Sequence, residues 1–532
     1  MPPCRSYSED MNCRERKDTF MELELKKTCL DAYEAGAELT LTQEETAETI
    51  VPDYCPDIAR IIATEGKVYV HSRELREGKA EVSGTVRITV LYTPDGEGGI
   101  RILEFAIPFT TESDNHALNG CVYLTGDAEV EYLESRMLNP RKIFTHCKLI
   151  VRMAGYRKAP LCFCEDFKSE PQLYLEKRQE HQRAMLLTGI TEKDFTFTDT
   201  MNLSPGREGA AELLNGRVCS SVTESKLVGN KLIVKGMFTV SVLYRTAGGK
   251  YCCHSAELPF SQIMEADGAA EGSLASIQLQ LTGTDFQIDG EDAEGRQIAV
   301  TFYLHATALV RQEQELTLLS DLYSTAYHTD HEAAPLCVSG FWESFNRRQT
   351  IREVLEIGVV AESILLVSAA CGGVSVSREG DHTVLRTAAT VRALYLDEGG
   401  VPLVAERRMD VSCQLDLPQD CKVNAKAICP EEVQATIGDR GIEVRFPIDF
   451  RIEAATQTKK VCISSVTVNT DAPKDMSGAP SLVLRCLGKQ ESTWELAKAN
   501  NTTIETILAA NQLDSEADIP RETLLLIPRK RA

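Results

Sequence analysis

Basic residues are the scarce ones in this sequence: 57 Lys and Arg face 79 Asp and Glu, a net charge of −22 over 532 residues. Phosphate backbones and anionic membranes are bound by clustered Lys and Arg, so a chain this acidic repels both as a whole. Nucleic acid is therefore not an expected partner. The basic Arg529-Lys530-Arg531 end reads as a solvated tail. Long apolar runs are missing as well. The nearest approach, Ile357 to Val376, is broken by Glu362 and by Gly372-Gly373, short of the ~18 consecutive apolar residues a membrane-crossing helix needs. No membrane insertion is expected. Met1 to Phe20 is polar and charged, without the apolar stretch of a secretory signal. These absences point to a protein made and kept in the cytosol.

Catalytic and metal-binding signatures are also lacking. The 18 cysteines follow no regular spacing. The densest groups, Cys162-Phe163-Cys164 and Cys252-Cys253-His254, have no second pair at zinc-ribbon distance. In a reducing cytosol most cysteines should act as small buried hydrophobes rather than disulfides. His328-Thr329-Asp330-His331-Glu332 fits neither His-Glu-x-x-His nor its inverse, and reads as a solvated loop between domains. No Gly-x-x-x-x-Gly-Lys-Ser/Thr loop occurs, so nucleotide hydrolysis is not expected. A Cys/His peptidase is the enzymatic rival. It needs a nucleophile beside a base, and no Cys or His recurs at the same place in the repeats described next. Neither a catalytic residue, a metal nor a cofactor is expected.

What the chain does have is a long internal repeat, which decides the fold before any local reading. Three segments end in the same pair: Val82 to Tyr92 (VSGTVRITVLY), Val234 to Tyr244 (VKGMFTVSVLY) and Leu385 to Tyr395 (LRTAATVRALY). The closing tyrosines lie 152 and 151 residues apart. Ile107-Pro108-Phe109 and Leu258-Pro259-Phe260 repeat with prolines 151 apart. Each segment alternates with a period of two, as a strand does: Val82, Val86, Ile88, Val90 and Tyr92 share one face. Gly84 and Gly236 sit at matching strand positions, where glycine marks a bulge or the close approach of another backbone; the third copy has Thr387 there. Thr93-Pro94-Asp95-Gly96, Arg245 to Gly249 and Asp397 to Gly400 supply hairpin turns. Further strands follow in each copy, the last being Ile143 to Arg152, Gln297 to Val310 and Ile442 to Ile452. Ahead of them, Pro56 to Ile62, Ala211 to Leu214 and Thr350 to Ile357 read as short amphipathic helices. Trp342, beside Phe341, is either an interdomain plug or an exposed anchor.

The tail changes period. Beyond a linker over 473–480, Ser481 to Cys486 reads as a strand. Ser492-Thr493-Trp494-Glu495 and Thr502-Thr503-Ile504-Glu505 read as capping boxes opening two helices. Ile519 to Pro528 supplies a turn and a second strand. The expected class is mainly β with α+β elements: three tandem antiparallel β-rich repeats over 21–170, 171–325 and 326–472, then a βααβ module over 481–530.

That module resembles a LysM domain, on Thr493, Trp494, Leu496, Ala497, Ile504, Ile507, Leu508, Asn511, Leu513, Ile519, Pro520, Leu524, Leu526, Ile527 and Pro528. It departs from the family in carrying Gln490-Glu491 where Gly-Asp commonly precedes the first helix. Trp494 sits where the family packs its helices, so core packing is expected of it ahead of ligand stacking. The resemblance implies a groove between two loops, here Gly488, Lys489, Gln490, Glu491, Ser492 and Thr493 on one side and Asn511, Gln512, Leu513 and Asp514 on the other. Its ligand is either a protein or an N-acetylglucosamine polymer such as peptidoglycan. The repeats resemble the SPOCS domain, on Pro52-Asp53-Tyr54-Cys55-Pro56-Asp57-Ile58, the Gly84 to Tyr92 strand, Pro108-Phe109 and their counterparts. SPOCS domains occur in spore-coat-associated proteins of anaerobic spore formers. The resemblance implies a non-catalytic scaffold in the mother cell, at the forespore surface, that binds a spore coat morphogenetic ATPase. A peptidoglycan adaptor and, behind it, a cell-wall hydrolase are the rivals. The resemblance begins at Met21, so either Met21 is the initiator or residues 1–20 are a disordered tail.

Overall fold

Period-two alternation governs almost the whole chain, and it builds one sandwich three times. The computed structural model describes residues 20–529 except 97, 169, 205, 290–293, 431, 476, 479, 489, 490 and 520–523; of the tail expected over 1–20, residues 1–19 lie outside that range and Phe20 opens a strand. Two short strands, β1 (Phe20–Glu22) and β2 (Leu25–Leu30), lead in. Repeat one is β3 (Tyr33–Ile50), β4 (Ile58–Arg76), β5 (Lys79–Pro94), β6 (Arg101–Asp114), β7 (Cys121–Asn139) and β8 (Lys142–Lys158), followed by β9 (Leu161–Phe167). Repeat two is β10 (Leu175–Asn202), β11 (Ala210–Val228), β12 (Lys231–Thr246), β13 (Tyr251–Glu265), β14 (Leu274–Ile288) and β15 (Gln297–Ser324). Repeat three is β16 (Tyr327–Leu355), β17 (Ala361–Cys371), β18 (Ser375–Glu379), β19 (His382–Asp397), β20 (Pro402–Leu415), β21 (Cys421–Ile428), β22 (Gln434–Gly438) and β23 (Gly441–Pro473). In each repeat the second, third and fourth strands form an antiparallel meander, as in β4-β5-β6. The last strand pairs with both the first and the fifth, as in β3-β8-β7. Repeat three keeps this order with its second and fifth strands each split in two.

The recurring Leu-Tyr pair follows from that alternation. Tyr92, Tyr244 and Tyr395 point into their own sandwich cores. Their neighbours Leu91, Leu243 and Leu394 point the other way and meet one another in a single buried cluster. Ala63, Ile100, Leu214, Leu365 and Leu366 complete it, with Ile62 packed against it. The three meander sheets thus share an axial core, and the repeats close into a ring.

Of the helices expected at Pro56 to Ile62 and Ala211 to Leu214, Ile58 to Ile62 and Ala211 to Leu214 are strand instead, with Pro56 and Asp57 in the loop ahead. Each second strand carries two β-bulges in quick succession, at Ile58/Arg60 and Ile61/Ala63, at Ala210/Glu212 and Leu213/Asn215, and at Ala361/Ser363 and Ile364/Leu366. A bulge inserts one residue and re-aims a side chain, so apolar residues fall three apart and imitate a helix. The inserted residues Ile62, Leu214 and Leu365 are the ones turned toward the axis. Thr350 to Leu355, also expected as helix, pairs along β23 as part of β16. His328 to Glu332 likewise forms strand pairs with β23 rather than a loop.

Polar contacts fasten the ring at each junction. Between repeats one and two, the Tyr69 and Thr284 hydroxyls are 2.6 Å apart, and Glu212 pairs across the junction with Arg101 as well as with Arg245 of its own repeat. Arg311 of repeat two lies 4.6 Å over the ring of Trp342 in repeat three, so Trp342 is an interdomain contact. Repeat three reaches back to repeat one through Lys426–Asp127 at 2.7 Å and Lys422–Glu38 at 2.8 Å. Glu65 is half-buried near the axis. Burial pushes its pKa up, but Arg217, the Asn215 hydrogen bond, Lys67 and Arg392 outweigh it and hold the carboxyl below its usual range.

A second three-way core lies beyond the sandwiches. β10, β15, β16 and β23 overrun their own repeats. Their outer ends gather with β2, paired to β9, and with β1, paired to β23. Leu23, Phe163, Leu186, Leu316, Leu318, Leu319, Leu322, Val338, Ile463 and Val466 fill this hub. Cys29 and Cys162, facing each other across β2 and β9, form a disulfide, an exception to the expectation of buried free thiols. Among the described residues no helix is long and apolar enough to cross a membrane.

Candidate functional site: the C-terminal module and its dock

After β23 ends at Pro473, the C-terminal module comprises β24 (Leu482–Cys486), α1 (Thr493–Ala499), α2 (Ile504–Ala510) and β25 (Leu524–Pro528), with β24 and β25 antiparallel. Ser492 caps α1 in a full capping box: its Oγ accepts from Glu495 N at 3.2 Å, and Ser492 N donates to the Glu495 carboxylate at 3.0 Å. The second box is not formed. Thr503, not Thr502, caps α2 by accepting from Thr506 N at 3.1 Å. The reason is that the Thr502 N–H, which the box would give to Glu505, already donates to Ala497 O at 3.1 Å, while Thr502 itself is wholly buried and its carbonyl accepts from Tyr323.

The two expected groove loops are held by the module itself. Gly488 N donates to the Glu491 carboxylate at 3.3 Å, and Glu491 pairs with Arg485 at 2.8 Å; Lys489 and Gln490 lie outside the described residues, as does Pro520. Thr493 is buried, and Ser492 is occupied by its cap. On the other side Asn511 donates to the carbonyls of Ile507 and Leu526 and accepts from Leu526 N at 2.8 Å. Its amide is taken up by stitching α2 to β25. Leu513 packs against the module core. Gln512, in a left-handed turn, and Asp514 are exposed. Of the eight described candidates, these two together with Gly488 remain open to solvent.

A different surface is already occupied, and the sequence did not single it out. Tyr323, from the hub end of β15, inserts into the module core. Its ring meets Trp494 edge-on at 4.9 Å, and its hydroxyl donates to Thr502 O at 2.7 Å. Two residues earlier, Asp321 accepts from Trp494 Nε1 at 2.7 Å and from Lys498 Nζ at 2.7 and 2.9 Å. Lys474, just past β23, donates to Ser324 O and to Asn501 Oδ1. Burial pushes the Asp321 carboxyl up, but the Lys498 and Trp494 hydrogen bonds outweigh it and hold it below the usual carboxylate range. Trp494 therefore serves as core and dock at once. The available signal was the spacing of Asp321 and Tyr323 on one face of a strand that outlasts its repeat.

The docked module turns its two-stranded sheet outward. Leu482, Leu484, Leu524 and Leu526 are 50%, 60%, 64% and 36% exposed. Cross-strand register sets Leu484 opposite Leu526 and Cys486 opposite Leu524, so the four leucines form one apolar face. Apolar residues clustered on a surface in this way mark an interaction site.

Residues 57–138 and 210–289 match the family described as SipL, SPOCS domain. These two segments are SPOCS domains. The match places the chain among sporulation-related proteins. Both SPOCS segments run from the second strand of a repeat to the fifth, β4 to β7 and β11 to β14, leaving the first and last strands outside. Repeat three, with its split second and fifth strands, lies outside the matched segments although its strand order is the same. No curated protein matches the chain.

Proposed function

We propose that this SPOCS-domain protein is a non-catalytic scaffold of spore coat or spore envelope assembly. It works in the mother-cell cytoplasm and is recruited to the forespore surface by binding a coat morphogenetic ATPase, with the LysM-like module contributing to that contact. The observation that carries this reading is the outward leucine face of a module docked on the hub. A pre-organised apolar surface loses little entropy on association, which favours a protein partner. The SPOCS match supports the sporulation setting. The groove loops favour a sugar polymer less, because Asn511 and Ser492 are already hydrogen-bonded within the module.

The test is recruitment of a fluorescent fusion in sporulating cells. Deleting residues 481–532, or combining Leu484→Asp with Leu526→Asp, should leave the protein diffuse in the mother cell, and the double variant should no longer capture the ATPase in a purified pull-down. Normal recruitment of both variants would refute the reading. Retention of the purified chain on peptidoglycan, undiminished by the double substitution, would favour the wall-glycan rival.

A further inference from the structure

Repeat three departs from the other two at one level of its sandwich, and two cysteines stand there. In repeats one and two the second strand runs unbroken, as β4 and β11, past a glycine of the third strand. Phe109 covers Gly84 and Phe260 covers Gly236 from the fourth strand. A Cβ at either glycine would come within 2.3 Å of a second-strand carbonyl, that of Tyr69 or Ser221. Repeat three has Thr387 at this place. Its hydroxyl donates to Gly372 O at 2.8 Å, and the second strand breaks between β17 and β18 over Gly372-Gly373-Val374. The fifth strand breaks as well, between β21 and β22. Cys371 is the last residue of β17, and Cys429 is the first after β21. Their sulfurs are 2.8 Å apart, and both residues are half-buried at the rim of the repeat-three core.

We propose that Cys371 and Cys429 are the two halves of a second disulfide, which closes repeat three on the side where its second and fifth strands are interrupted. The reaction takes two thiols to one S–S bond, releasing two protons and two electrons. With a peroxide as oxidant the O–O bond is cleaved and two waters leave. The cross-link would tie together the two sheets of the sandwich across a 58-residue separation, the kind of long loop whose closure restricts the unfolded chain most.

The test uses the intact chain treated with hydrogen peroxide, then blocked with iodoacetamide and digested with trypsin without reduction. Cys371 falls in the peptide 353–378 and Cys429 in 427–440, each the only cysteine of its peptide. The expected result is a linked 353–378/427–440 pair, together with a rise in melting temperature that Cys371→Ser and Cys429→Ser each abolish. The native Cys29–Cys162 bridge is the internal standard. Recovery of both peptides separately alkylated after peroxide, or linkage of either cysteine mainly to Cys413 or Cys421, would overturn the proposal.

Discussion

The axial core and the hub both join three repeats, but they are made from different kinds of residue. The axis is built from positions that recur: Leu91, Leu243 and Leu394, with Ile62, Leu214 and Leu365 from the bulges. The hub is built from strand overruns and lead-in strands with no common pattern, and only repeats two and three supply the long overruns β10, β15, β16 and β23. The difference teaches that duplication explains how the ring closes. What the ring carries was added where the repeats stop being alike, and the module docks on the hub through Asp321 and Tyr323.

The comparison can be broken most forcefully at the axis. Leu243→Asp puts a carboxylate among six or more apolar side chains, and the loss should exceed ~3 kcal/mol, since it combines lost burial with a buried unpaired charge. Urea unfolding should then show the repeats losing their common transition while the module stays docked. In the hub, Leu319→Ala should cost about 2–4 kcal/mol and, unlike the axial change, expose the linker over 473–480 to protease, because Leu319 anchors in the hub the same strand that bears the dock. Asp321→Asn should loosen the module alone, by about 1–3 kcal/mol, seen as faster cleavage of the same linker with an unchanged melting transition for the ring. Acid should mimic it: with its pKa lowered on docking, Asp321 contributes above the ordinary carboxylate pKa, and that contribution is lost as pH falls through the lowered value. The smallest effect belongs to His305 within repeat two. Pairing with the Glu192 carboxylate and a hydrogen bond with Asp194, against burial, raise its pKa. Its stabilisation is therefore complete below the unfolded value of about 6.5 and fades as pH rises through the folded one. Wild type should lose under ~1 kcal/mol over that rise, and His305→Gln should lose none of it.

The part of this plan legible in the sequence is the part that repeats. The Leu-Tyr strands, the hairpin turns and the βααβ order of the tail all follow from periodicity and capping chemistry. The paired bulges were not legible, because inserting Ile62 or Leu214 gives a strand the apolar spacing of a helix turn. The hub was not legible either: β16 and β23 extend for 29 and 33 residues, and alternation alone does not say where a strand leaves one sandwich and enters another core. At the module, resemblance alone points to the groove loops. The contacts that hold it come from Asp321 and Tyr323 on a distant strand, which no local pattern relates to Trp494 and Lys498.

Ring closure between the first and third repeats can be read in one measurement. Zero-length carbodiimide coupling followed by peptide mass spectrometry should join Lys426 to Asp127 and Lys422 to Glu38, 2.7 and 2.8 Å apart, as readily as it joins Lys235 to Glu224 within repeat two at 3.0 Å. Formation of the repeat-two link without either link between repeats one and three would mean that the repeats are strung in a line, and would contradict the closed ring.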